Sequence, residues 1–160
     1  MCKGRDIVQL PVCNATQQTI AHVQDLLVDL AEARVTAVVL QPAQGGGDCL
    51  RWPQVQIDRD AVHMQGDPCP QTTVHVRPTV PVKELTGTPV VTATGHAMGK
   101  VGDVLIDPAT GQLLGVEVTD GWTQDMLTGR LHVPWSDVRG WQSGRMEIPD
   151  RWQDAWQLGS

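Results

Sequence analysis

Residues 100–118, KVGDVLIDPATGQLLGVEV, decide the fold. Val101, Asp103, Leu105 and Asp107 alternate with Gly102, Val104 and Ile106, the period-two pattern of a strand in a small barrel or sandwich. Asp107-Pro108-Ala109-Thr110-Gly111 carries turn chemistry: a carboxylate that accepts local backbone N–H groups, a Pro that presets φ, and a Gly for a left-handed position. The apolar run resumes from Leu113 to Val118, so the whole stretch reads as a β-hairpin. Moved back by 78 positions, the pattern recurs at residues 22–40, HVQDLLVDLAEARVTAVVL. Asp25 falls on Asp103, Leu27 on Leu105, Asp29 on Asp107 and Val38 on Val116.

The repeat divides the 160-residue chain into two units of roughly 75 residues, and domains that small bury only about 60% of their unfolded surface. The two copies are therefore expected to lean on one another as an intramolecular pseudo-dimer. All six aromatic residues are Trp, with no Phe or Tyr, so Val, Leu, Ile and Met must fill the core. A net charge of −6 and the lack of any basic run longer than two residues argue against a nucleic-acid surface. The opening MCKGRDIVQLPV has no apolar stretch long enough for a signal peptide or a membrane span, which predicts a cytoplasmic protein. Cys2, Cys13, Cys49 and Cys69 are irregularly spaced and fit neither a metal ribbon nor a dense disulfide framework, so reduced thiols without a collective role are expected.

Taken in order, the pattern predicts strands at 5–12, 20–28 and 34–40, with Leu30-Ala31-Glu32-Ala33 a chemically weaker hairpin turn than its later counterpart or one helical turn. The loop 42–48 holds Gly45-Gly46-Gly47, but no Lys-Ser/Thr follows and no helical pattern begins, so a phosphate cradle is not indicated. Strands at 50–56 and 60–64 close the first unit, residues 1–66. Residues 67–83 are Pro-rich and read as a linker, with Thr73-Val74-His75-Val76 pairing as an edge strand. In the second unit, 84–149, strands are expected at 85–91, in the central hairpin, at 131–138 and at 145–148, with a loop at 120–129. Residues 150–160 form a tail in which 151–158 is a short amphipathic helix capped by Asp150. The fold class is all-β: two tandem small barrels with a short C-terminal helix.

The second unit resembles a PRC-barrel, the small β-barrel named after the cytoplasmic part of the photosynthetic reaction-centre H subunit. Leu85-Thr86-Gly87, Pro89-Val90, Gly99-Lys100-Val101-Gly102-Asp103-Val104-Leu105-Ile106-Asp107, Thr110-Gly111, Val133-Pro134-Trp135-Ser136-Asp137-Val138 and Met146-Glu147-Ile148 carry the resemblance. The first unit departs from it: Ala21 replaces the Gly before the second strand, no Gly follows Asp29, and the Pro-Trp corner becomes Trp52-Pro53. The resemblance implies partner binding or scaffolding with no shared catalytic residue. The H-type subunit carries a membrane helix before its barrel, and no such helix is expected within residues 1–160.

Asp103 with Asp107 and Asp25 with Asp29 are each four apart on a strand, hence on one face. They suit either a hard cation such as calcium or, as the reading adopted, turn-shaping and backbone bonding at the barrel rim, with Gly111, Pro134 and Trp135 as structural partners. The five histidines are dispersed and give pairs with cysteine at best, whereas a zinc site needs three or four converging ligands. No metal, cofactor or catalytic residue is expected. Trp122 and Trp141 lie in loop or corner segments, and Trp152 and Trp156 form an i,i+4 pair on one helix face. These four are the candidate partner-binding residues, Trp being enriched at interface hot spots. For the helix pair, packing onto its own barrel and docking onto another protein both remain open. The functional expectation is a non-enzymatic adaptor or accessory subunit of a larger protein assembly. Its narrower form is a subunit or assembly factor peripheral to a photosynthetic membrane complex. The alternative is a metal- or ligand-binding regulatory protein using the Asp pairs and histidines.

Overall fold

The computed structural model describes residues 1–74, 78–119, 130–140 and 144–154, the side chains of Thr73 and Val74 excepted. The expected loop at 120–129, the His75-Val76 half of the expected edge strand, and the expected helix from Ala155 onward lie outside those residues. In chain order the first part contains β1 (Cys2–Lys3), α1 (Gly4–Ile7), β2 (Pro11–Cys13), β3 (Thr19–Asp29), β4 (Arg34–Gln44), β5 (Gly47–Arg51), β6 (Val55–Ile57) and β7 (Val62–Met64). There follow α2 (Gln71–Val74), β8 (Val80–Pro81), α3 (Val82–Leu85), β9 (Pro89–Thr92), β10 (Ala97–Ile106), β11 (Leu113–Thr119), β12 (Leu131–Pro134) and β13 (Met146–Ile148). The fold is all-β, with two sheets and helices of a single turn among the described residues.

One sheet runs β5-β4-β3-β2-β7-β6 and the other β12-β11-β10-β9-β13. Their registers repeat. Pro11 faces His22 and Val12 faces Ala21, as Pro89 faces Lys100 and Val90 faces Gly99. Ala37, Val38 and Val39 face Arg51, Leu50 and Cys49, as Gly115, Val116 and Glu117 face Pro134, Val133 and His132. Each sheet closes with a parallel pair, Val12 beside Val62 and Val90 beside Met146. In β3, buried Ala21 and Val23 alternate with exposed neighbours, and then Asp25 to Asp29 are buried without a break. The alternation stops where the strand is covered on both faces. Leu26, Val28, Val38, Leu40, Leu50 and Val62 form the core of this sheet, all but inaccessible to solvent.

The chain divides into two compact units, Met1–Lys83 with Ile106–Leu113, and Glu84–Leu105 with the described residues from Leu114 onward. Within the first, Leu113 N donates to Ala33 O and Val35 N to Gly111 O, both at 2.8 Å, flanking an antiparallel bridge between Arg34 and Gln112. The tip of the second hairpin is therefore part of the first unit's fabric.

Four expected elements differ. Residues 5–12 are not a strand: α1 occupies Gly4–Ile7, and only Pro11–Cys13 pairs. Residues 85–91 differ in the same way, with α3 at Val82–Leu85 before β9. The cause lies in Gln9 and Gly87, whose φ values of 80° and 87° break an extended run that reads as continuous from hydrophobicity alone. Gln71–Val74 is a helical turn, because this Pro-free stretch is anchored where Gln71 Nε2 donates to Asp48 Oδ2 at 2.8 Å. At the C-terminus, Asp150–Trp152 forms a 3-10 turn.

Candidate partner-binding site

The four aspartates are spent on the backbone. Asp25 is 8% exposed, and its Oδ1 accepts from Leu26 N at 2.8 Å and from Lys83 N at 3.3 Å, so it holds the first turn of α3. Burial pushes the Asp25 carboxyl above its usual value, with the Leu26 and Lys83 amides and the Lys83 charge pulling the other way. Asp103, 2% exposed, accepts from Val104 N at 2.8 Å in the same manner. Asp29 Oδ1 accepts from Glu32 N, and Asp107 Oδ1 from Ala109 N, each at 3.0 Å across its hairpin turn. Gly111 completes the second turn by donating from its N–H to Asp107 O at 2.7 Å.

Pro134, with φ −63° and ψ 148°, leads into a 3-10 turn that starts at half-buried Trp135. The first copy keeps this corner intact: Arg51, at φ −67° and ψ 148°, leads into the turn Trp52–Gln54. Arg51 adopts without a ring the extended conformation that Pro134 has fixed, so the first corner is not degenerate as its residues suggest. In the second corner, buried Asp137 accepts from Trp152 Nε1 at 2.9 Å and pairs with Arg151. The Trp152 bond first, and then Arg151, hold the Asp137 carboxyl below the usual range. Asp150 accepts from Thr94 N and Thr94 Oγ1, both at 3.0 Å. Trp152 is thus brought to Asp137, whereas Trp122, Trp141 and Trp156 lie outside the described residues.

Two sites escaped the sequence reading. Asp58 Oδ2 and His63 Nε2 are 2.7 Å apart, and Asp58 Oδ1 accepts from Asp60 N and Ala61 N, so the pair shapes the β6–β7 turn. The cleft of about 500 Å³ beside it is lined by Asn14, Gln17, Gln56, Met64 and Gln65 and presents no hydroxyl or thiol for the imidazole to activate. Among the described residues no three of His, Cys, Asp and Glu cluster as a metal site requires.

The second site is a cleft of about 250 Å³ in the first unit, lined by Arg34, Val35, Thr36, Arg51, Trp52, Pro53 and Thr110. Arg34 spends one contact, Nη2 to Thr110 O at 3.5 Å, and among the described residues neither Arg34 nor Arg51 pairs with a carboxylate. The floor is made by Trp52, 7% exposed, seated against Gly111: a Cβ there would lie 2.9 Å from Trp52 Nε1. Two exposed guanidinium groups flanking an indole form a cationic spot in a chain of charge −6. The one signal was a contrast within the repeat, since Arg34 and Arg51 stand where the second copy has Gln112 and Pro134.

No curated protein matches the chain. A family model does: that of the PRC-barrel domain, over residues 78–151. The matched span takes in β8, the turn of α3 and every strand from β9 to β13. Such barrels are small modules often involved in protein interactions and generally non-catalytic. The chain thus carries a PRC-barrel domain at residues 78–151.

Proposed function

We propose that this protein is a non-enzymatic adaptor or accessory subunit, and that an acidic segment of its protein partner docks in the cleft between Arg34 and Arg51. The carrying observation is the pair of arginines beside Trp52 with no carboxylate of their own among the described residues. Arg matches carboxylate bidentately, and the buried Trp52 serves as the fixed floor between the two guanidinium groups. Attachment to a photosynthetic membrane complex is the narrower form of this proposal and rests on the resemblance of the second copy to the H subunit's barrel. The regulatory, cation-binding alternative draws less support, because Asp25, Asp29, Asp103 and Asp107 all accept backbone N–H groups.

The test is affinity capture with the full chain at low and high salt, beside the double variant Arg34→Glu/Arg51→Glu. The expected result is a partner retained at low salt, weakened by salt, and lost from the variant while its melting temperature is unchanged. A partner held equally by the charge-reversed variant would contradict the proposed site.

A further inference from the structure

Pro68-Cys69-Pro70 lies along the edge of β5 and adds one residue to the first sheet. Cys49 N donates to Cys69 O at 2.9 Å and Cys69 N to Cys49 O at 2.8 Å, so the two cysteines are directly opposite in an antiparallel bridge. The approach depends on the glycine loop. A Cβ on Gly47 would sit 2.2 Å from the Cys69 carbonyl carbon, and one on Gly46 would sit 2.8 Å from Pro68 O. Both thiols are free, and Cys69 packs half-buried against the cluster of Leu27, Ala37, Val39 and Cys49.

We propose that Cys49 and Cys69 are a thiol pair that closes to a disulfide by exchange with a small-molecule disulfide, clasping the Pro-rich segment to the sheet edge. Residues opposite one another in a hydrogen-bonded antiparallel pair have Cα atoms about 5.5 Å apart and side chains on the same face, inside the range of about 4.4–6.8 Å that a disulfide spans. The Cβ atoms must still close from about 5 Å to about 3.8 Å. That movement strains the bond and makes it the readily reduced kind.

Cys69 is the entry point, since Cys49 is inaccessible and burial, helped by Asp48 and Cys69, pushes its thiol up to about 12. The Cys69 thiolate attacks one sulfur of oxidised glutathione. A protein–glutathione S–S bond forms, the glutathione S–S bond breaks, and one glutathione leaves. Cys49 then gives up its proton and attacks the Cys69 sulfur, expelling the second glutathione. Two electrons pass from the protein thiols to one disulfide, and the two thiol protons end on the two departing glutathiones.

The experiment incubates the full chain with oxidised glutathione, blocks remaining thiols under denaturing conditions, and maps the cysteines by mass spectrometry after proteolysis. Expected are a Cys49–Cys69 cross-linked peptide about 2 Da lighter than the sum of its reduced parts, and a Cys49→Ser variant that retains one glutathione on Cys69. Gly47→Ala, which touches neither thiol, should lower the yield by about tenfold by displacing Cys69 beyond bridging range. Cys49 recovered fully alkylated from the oxidised wild type would overturn the proposal. So would a cross-link formed equally well in the Gly47→Ala variant.

Discussion

Gln9, Gln17 and Ala33 have φ values of 80°, 65° and 54°, and the residues 78 positions further on are Gly87, Gly95 and Gly111, at 87°, 91° and 78°. The first copy adopts the same left-handed backbone at these positions without glycine. An L-residue in this region costs on the order of 1–2 kcal/mol. Gln17 is exposed, so Gln17→Gly should raise stability in urea denaturation by roughly 0.5–1 kcal/mol, after the larger unfolded-state entropy of Gly is subtracted. Gly111→Ala should do the opposite, by about 2–4 kcal/mol, because the new Cβ meets both Trp52 and Val35 O. Gly111 was legible from the sequence for this reason, and the turns at Gln9 and Gln17 were hidden by side chains that normally avoid them. Asp25 gives a pH test. Its folded carboxyl titrates above 3.8, so the native state holds the proton more tightly than the unfolded chain. Stability is favoured below 3.8 and falls as pH rises from there through the raised value. Asp58, Asp137 and Asp150 have lowered values and act in the other sense, losing stability as pH falls below 3.8. Asp25→Asn keeps the Oδ1 acceptor for the Leu26 and Lys83 amides. The stability of wild type relative to this variant should therefore decline with rising pH across that window in a series of denaturation curves; a flat difference would contradict the burial of an ionising carboxyl.

At the scale of elements, the hairpins were legible and the single-turn helices were not. Ile7 and Leu85 are buried as core strand residues would be, so hydrophobicity could not distinguish α1 and α3 from extended chain. Their ends are held by side-chain acceptors, the distant Asp25 for α3 and, within α1 itself, Asp6 Oδ2, which accepts from Lys3 N at 2.9 Å. The sheet's second face also diverges between copies. Leu27, Ala37, Val39 and Cys49 form an apolar cluster, whereas the counterpart of Val39 is Glu117, 1% exposed and 3.3 Å from Arg130 Nη1. Leu113 to Val118 reads from the sequence as a plain apolar run, and the glutamate inside it was the available signal. The C-terminal turn depends on Asp137, so Trp152→Phe, which keeps the apolar ring and removes the donor, should lower stability by about 1–3 kcal/mol. An unchanged melting curve would leave Trp152 available to a partner and return the docking role to it.

At the scale of the whole molecule, the repeat predicted two copies, and the cysteine spacing concealed that Cys49 and Cys69 adjoin, because their meeting depends on the chain doubling back over Gly46 and Gly47. Since Ile106–Leu113 belongs to the first compact unit, a fragment of residues 1–83 lacks the Gly111 and Leu113 backbone partners of Val35 and Ala33. That fragment should melt at lower temperature and less cooperatively than the intact chain, as read by circular dichroism. The central claim is that one barrel pattern is written twice. Residue-resolved amide hydrogen exchange on the intact chain tests it most directly, since Gln9 and Val23 donate to Val23 O and Leu10 O as Gly87 and Val101 donate to Val101 O and Thr88 O. The account predicts protection at Gln9 and Val23 matching that at Gly87 and Val101; rapid exchange at Gln9 and Val23 with protection confined to Gly87 and Val101 would contradict it.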